Sequence, residues 1–136
     1  MAKLETWKQG RLIDHLILYV SDIKRSRKFY RAVAKALGIE ANEDSDHIQF
    51  DEIWISEGRP TSHVHLGFQA KSRKAVDAFY RAALAAGGRD NGPPGERDYH
   101  PGYYAAFVLD PDGNNIEATH QRIRKSAPAV RVARTA

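Results

Sequence analysis

Apolar residues fall at alternate positions in LIDHLILYV (12–20) and HVHLGFQA (63–70), the period of a strand buried on one face. After each run the spacing lengthens to that of a helix. In the first helix Ser21 or Asp22 caps a stripe of Ile23, Phe29, Tyr30, Val33 and Leu37, and Gly38 ends it in the left-handed conformation. In the second, Ser72 caps a stripe of Val76, Phe79, Tyr80, Ala83 and Leu84, and Gly87-Gly88 stops it. Short strands are predicted after each helix. They fall at 39–42, 47–51 and 52–56 in the first half, and at a short piece after Gly88, 103–110 and 114–121 in the second. Between the last two, Asp110-Pro111-Asp112-Gly113-Asn114 is a turn, with Pro to preset φ and Gly to take positive φ.

The two halves are copies of one unit. Shifting the sequence by 50 places lays His15-Leu16 on His65-Leu66 and Phe29-Tyr30-Arg31-Ala32 on Phe79-Tyr80-Arg81-Ala82. Nine of the 24 pairs from position 15 to 38 are identical without a gap. Each unit reads β-α-β-β-β. The expected fold is α+β: two tandem βαβββ modules forming an open cup-shaped mixed sheet with helices on the outside. A single domain is expected over 1–121, with module one at about 12–57 and module two at about 63–121. Residues 91–104 (NGPPGERDYHPGYY) read as a Gly/Pro loop too long for a mere connector, and such loops tend to carry function. The basic stretch 122–136 reads as a disordered tail.

Composition narrows the chemistry. At 136 residues, 42% hydrophobic and 28% charged, the chain builds a core without staples. It has no cysteine, which excludes disulfides, thiolate metal sites and a cysteine nucleophile. No apolar run approaches the roughly 20 residues of a membrane helix, and MAKLETWKQGRL lacks the apolar stretch of a secretory signal, so a cytoplasmic protein without a membrane partner is expected. The net charge of +4 is spread over two helices and the tail rather than gathered in a stripe, and no nucleic acid partner is expected.

Histidines and one glutamate remain as candidate chemistry. His15 and His65 are equivalent in the two first strands. The apolar neighbours Leu16, Leu18 and Val20, and Leu66, Phe68 and Ala70, belong under the helices. His15, Ile17, Tyr19 and His65, Gly67, Gln69 then share the helix-free face. In NNIEATH the same alternation puts Asn115, Glu117 and Thr119 on that face, where a carboxylate needs a partner. Two imidazoles and a carboxylate would form a metal site with open positions if they converge, which spacing alone does not show. Taken singly, each histidine reads as an ordinary core or surface group; their symmetry is what marks them. Tyr19 and Gln69 are candidates to hydrogen-bond a substrate oxygen, Trp54 to wall the cavity, and Tyr103 to contact substrate from beside the loop. His100 is the candidate acid–base group. His47 is weighed as a cup-facing residue and Glu52 as a fallback ligand, while His63 belongs at the strand entrance and His120 on the helix side.

These marks resemble the vicinal oxygen chelate superfamily (glyoxalase I, extradiol dioxygenases, fosfomycin- and bleomycin-resistance proteins). The resemblance rests on HLILYVSD (15–22) with Phe29-Tyr30, HLGFQAKS (65–72) with Phe79-Tyr80, and DPDGNNIE (110–117), and covers about 12–121. It implies His15, His65 and Glu117 as metal ligands, one divalent ion (Fe, Mn, Zn or Ni) per site, and a homodimer. Where glyoxalase I supplies a further ligand from the last strand of its first unit, this chain has Trp54, which cannot ligate. What remains is a two-histidine, one-carboxylate set like those of the dioxygenase and fosfomycin-resistance branches. The function implied is a metal-dependent enzyme chelating vicinal oxygens of a small-molecule substrate, with lyase, isomerase or dioxygenase outcome. The alternative is a metal-free protein that sequesters a small molecule or antibiotic, as bleomycin-resistance proteins do.

Overall fold

The computed structural model describes residues 12–121. The expectations for the N-terminal segment and for the basic tail at 122–136 lie outside the described residues. The chain runs β1 (Leu16–Val20), α1 (Ile23–Ala36), β2 (Asn42–Glu43), β3 (His47–Phe50), β4 (Ile53–Glu57), then β5 (His65–Gln69), α2 (Arg73–Ala85), β6 (Arg89–Glu96), β7 (Tyr103–Leu109) and β8 (Asn115–Gln121). Each half forms a four-stranded mixed sheet, in the orders β1-β4-β3-β2 and β5-β8-β7-β6. In both, the first and last strands of the module pair parallel and the other neighbours antiparallel. The architecture is thus the α+β pair of βαβββ modules that the repeat predicts.

The helices start where a side-chain acceptor meets free N–H groups. Asp22 accepts from Arg25 N at 3.1 Å and Ser72 Oγ from Ala75 N at 3.0 Å. Phe29, Tyr30 and Val33 on α1 and Val76, Phe79 and Ala83 on α2 are fully buried. The two helices pack against each other, and their stripes join Val20 and Ile55 of one sheet and Val108 and Ile116 of the other in one core. Each buried Val, Ile or Phe among them contributes roughly 1.5–3 kcal/mol. Gly88 stands at the seam between modules. A Cβ there would lie 2.7 Å from Phe29 Cε2 and 2.8 Å from the Ala83 carbonyl, so only glycine lets the chain pass.

A second link between modules is polar. The buried Tyr30 hydroxyl of α1 donates to Asp110 Oδ2 in the β7–β8 turn. Asp110 also accepts from the backbone N–H of Asp112 (2.9 Å) and Asn114 (2.8 Å), and Gly113 takes φ +87° to close the turn. Burial, and then the Asp110 carboxylate, hold the Tyr30 hydroxyl well above its ordinary pKa.

The stretch 91–104 differs from the sequence reading. Much of it is strand: β6 runs to Glu96 and only the residues after it turn back into β7. Prolines deny a ladder their N–H, but β6 is an edge strand, and its register slips between Gly92 and Gly95, where Pro93 and Pro94 sit. The first strand after α1 is also shorter and later than expected, at Asn42–Glu43.

Candidate functional site

The strand period decides which side chains meet. On β8, Ile116 and Ala118 are buried toward the helices, so Asn115, Glu117 and Thr119 face the other way. Across the ladder Glu117 stands opposite Gly67 on β5 and Phe107 on β7. Gly67 has no side chain there, and His65, two residues upstream on the same face, brings Nε2 to 2.9 Å from Glu117 Oε1. The Tyr103 hydroxyl donates to Glu117 Oε2. Glu117 is buried, whereas the His65 ring is half exposed. Tyr103 therefore fixes the carboxylate's rotation and turns its second oxygen to the imidazole. Burial, and then the bond to Glu117, raise the Tyr103 hydroxyl above its usual pKa, so it stays a donor at neutral pH.

His100 belongs to the same chain of contacts. Its ring stands edge-on to Tyr103 at 5.3 Å, and its Nε2 lies 3.0 Å from Gln121 Oε1. Gln69 is exposed on the His65 face, opposite Thr119. His120 lies in contact with the Ala70 carbonyl at 3.0 Å, and His63 lies against Gly113 in the β7–β8 turn.

Module one presents a different surface. Ile17 pairs with Trp54 and Tyr19 with Ser56, and these residues face away from the core, 45% (Ile17), 49% (Tyr19) and 38% (Trp54) exposed. His47 joins that face and stacks on Trp54, with ring centroids 4.0 Å apart and planes 10° from parallel. His15 precedes β1, is exposed, and has Nδ1 2.7 Å from Asp14 Oδ1 rather than a contact with module two. Glu52, weighed as a fallback ligand, sits in the β3–β4 turn near Asp14, Glu40 and Asp51, where a hydrogen bond to Asp51 and burial raise its carboxyl.

The structure thus brings His65, Glu117, Tyr103 and His100 into one chain of contacts and leaves His15, Tyr19 and Trp54 on another surface. Among the described residues no three His, Cys, Asp or Glu side chains lie close enough to hold a metal ion together. Two residues on the module-two face escaped the sequence reading. Phe107 follows the same alternation as Tyr103 and could have been placed by period. Arg97 lay in a stretch read as loop, where no period applied.

The profile of the glyoxalase/bleomycin resistance protein/dioxygenase superfamily matches residues 12–118. The chain belongs to that superfamily. The uncharacterized protein YqjT of Bacillus subtilis (strain 168) is 31% identical over 126 residues, spanning 77% of this chain and 95% of the relative. A glyoxalase/bleomycin resistance protein from Albidiferax ferrireducens T118 superposes with a TM-score of 0.69 at 34% identity, over 80% of this chain and 98% of that one. Lactoylglutathione lyase from Agrobacterium tumefaciens shares the fold at 16% identity, with a TM-score of 0.58 over 79% and 92% of the two chains. Superfamily proteins of this kind act on small molecules, and none of the helices here is long and apolar enough to cross a membrane among the described residues.

Proposed function

We infer that this superfamily member is a metal-dependent enzyme that binds a small substrate through two neighbouring oxygens, and that it works as a cytoplasmic homodimer. The observation that carries this reading is the His65–Glu117 contact: a buried carboxylate, oriented by Tyr103, touching an imidazole that is open to solvent. A carboxylate turned to the helix-free face of a sheet needs partners, which Tyr103 and His65 supply here, and an imidazole beside a carboxylate is a donor set that suits Fe, Mn, Zn or Ni. His65 and Glu117 supply two ligands. His15, which stands apart from them within one chain, would supply the third from a second copy. Support for pairing comes from module one, whose helix-free face leaves Ile17, Tyr19 and Trp54 exposed, as a surface that closes over a second copy would.

A divalent ion held there would supply Lewis-acid stabilisation of charge on substrate oxygens. The chain's own residues do the rest. Tyr103 keeps its proton and holds Glu117 in one rotamer. His100, edge-on to Tyr103 and anchored by Gln121, takes the acid–base role. Gln69 binds a substrate oxygen, and the module-one face of the second copy, which carries Tyr19 and Trp54, closes the cavity.

A second reading has one observation of its own. The stacked His47–Trp54 pair is a flat aromatic platform suited to sequestering an aromatic molecule without metal. Elemental analysis of untagged protein beside His65→Ala separates the two. About one Fe, Mn, Zn or Ni per chain, lost in the variant, supports the enzyme. No metal after incubation with each ion favours the sequestering protein.

A further inference from the structure

Resting on that reading, we propose that Arg97 anchors an oxyanion at the far end of the substrate, so that the substrate class is a small molecule with vicinal oxygens at one end and a carboxylate or phosphate group at the other.

The placement follows from the ladder. Glu96 pairs with Tyr104, whose side is that of α2, and Arg73 of α2 reaches Glu96 Oε1 at 2.6 Å. Arg97 is the next residue, and its N–H donates to the Tyr103 carbonyl at 2.8 Å. Its side chain therefore falls on the face of Tyr103 and Glu117. From there it folds back along β6. Nη2 donates to the Pro93 carbonyl at 2.6 Å, and Cζ lies 5.4 Å from the centroid of Phe107. Phe107 is the ladder partner of Glu117, and its ring is 6.0 Å from that of His65. The guanidinium is thus one aromatic ring away from the imidazole–carboxylate pair.

Two glycines make the bed for it. A Cβ on Gly92 would stand 3.2 Å from Nη2, and one on Gly95 would stand 3.1 Å from Nη1. Both face positions are occupied by the arginine instead of by side chains of their own. The charge itself is unspent. Arg27 and Arg31 pair with Glu43 and Arg73 with Glu96, but Arg97 joins no ion pair among the described residues. A partly buried guanidinium, fixed by one carbonyl and one ring face, keeps most of its five N–H donors for a ligand. Its planar fork matches the oxygens of a carboxylate or phosphate.

The test compares three 2-oxo acids on the purified protein: 2-oxoglutarate, 2-oxo-4-phosphonobutanoate and 2-oxopentanoate, which has no distal charge. Dissociation constants are measured by calorimetry, with and without added Mn(II), for the wild type, Arg97→Met, Arg97→Lys and Glu117→Gln. The wild type should bind at least one probe with a distal oxyanion about tenfold or more tightly than 2-oxopentanoate. Which of the two it prefers distinguishes a carboxylate from a phosphate. Arg97→Met should erase that preference and leave 2-oxopentanoate, metal content and thermal midpoint unmoved, while Arg97→Lys restores part of it. Equal binding of all three by the wild type, a preference that survives in Arg97→Met, or no binding of any probe overturns the proposal. The metal reading fails separately, when Mn(II) and Glu117→Gln change the affinity of none of the probes. An Arg97-dependent preference would then still stand.

Discussion

Trp54 holds the place in module one that Glu117 holds in module two. Trp54 stands opposite Ile17 on the parallel β1–β4 pair, and Glu117 stands opposite Gly67 on the parallel β5–β8 pair. The two first-strand residues are themselves equivalent under the repeat. Where one module turns a carboxylate to its helix-free face, the other turns an indole, stacked on His47 and with Nε1 donating to Ser56 Oγ at 2.7 Å. The repeat is therefore symmetric in backbone and divided in chemistry.

An exposed indole on a face shared with Ile17 and Tyr19 is the kind of residue that dominates an interface. Trp54→Ala should weaken self-association by about 2 kcal/mol or more, seen as a shift toward monomer in sedimentation velocity across a concentration series. The fold, judged by far-UV circular dichroism, should persist. An unchanged dimerisation constant would remove this face from the interface.

Tyr103 donates to Glu117, so its role in the proposed site is to position that carboxylate. Tyr103→Phe should retain metal stoichiometry but lower metal affinity by about 10–100-fold, the usual cost of losing such a supporting bond. Competition with a chromophoric chelator reads this directly. Wild-type affinity in the variant would mean that Glu117 orients itself.

Tyr30 couples α1 to the turn that leads to Glu117. Because its folded-state pKa lies above the ordinary tyrosine value, the unfolded chain releases this proton first as pH rises. The contribution is complete below about pH 10 and is lost as pH climbs beyond it toward the raised folded value. Tyr30→Phe should cost about 1–3 kcal/mol at neutral pH, since Asp110 loses a buried donor. It should also flatten the alkaline limb of the stability profile, measured by urea denaturation from neutral to strongly alkaline pH. An unaltered alkaline limb would assign that loss to other groups.

Gly88→Ala should destabilise by about 1–3 kcal/mol through overpacking against Phe29 and the Ala83 carbonyl. The urea midpoint should fall with the slope unchanged. A neutral result would mean that the seam between modules yields more readily than its contacts suggest.

Much of this was legible in the chain because the relevant periods are local. Leu18 and Val20 are buried while Ile17 and Tyr19 are not, as alternation requires, and Asp22 and Ser72 cap the helices whose stripes they precede. The face shared by His65 and Glu117 followed from the same alternation. What stayed hidden depends on neighbours distant in sequence. Pro93 and Pro94 spoke for loop, yet an edge position with a slipped register lets β6 form around them. With that strand unread, Arg97 had no face. Nor could spacing say whether His15 meets His65, because that depends on how modules pack, and within one chain α1 packs on α2 and the two histidines stay apart.

In the proposed site His15 comes from one copy and His65 with Glu117 from the other. Mixed dimers of His15→Ala and Glu117→Gln, isolated through two different affinity tags lacking histidine, test it most directly. In such a dimer one site carries both substitutions and the other carries neither. Both homodimers should lose their metal, and the mixed dimer should regain one ion per pair of chains. A mixed dimer as empty as its parents would contradict it and place the site within a single chain.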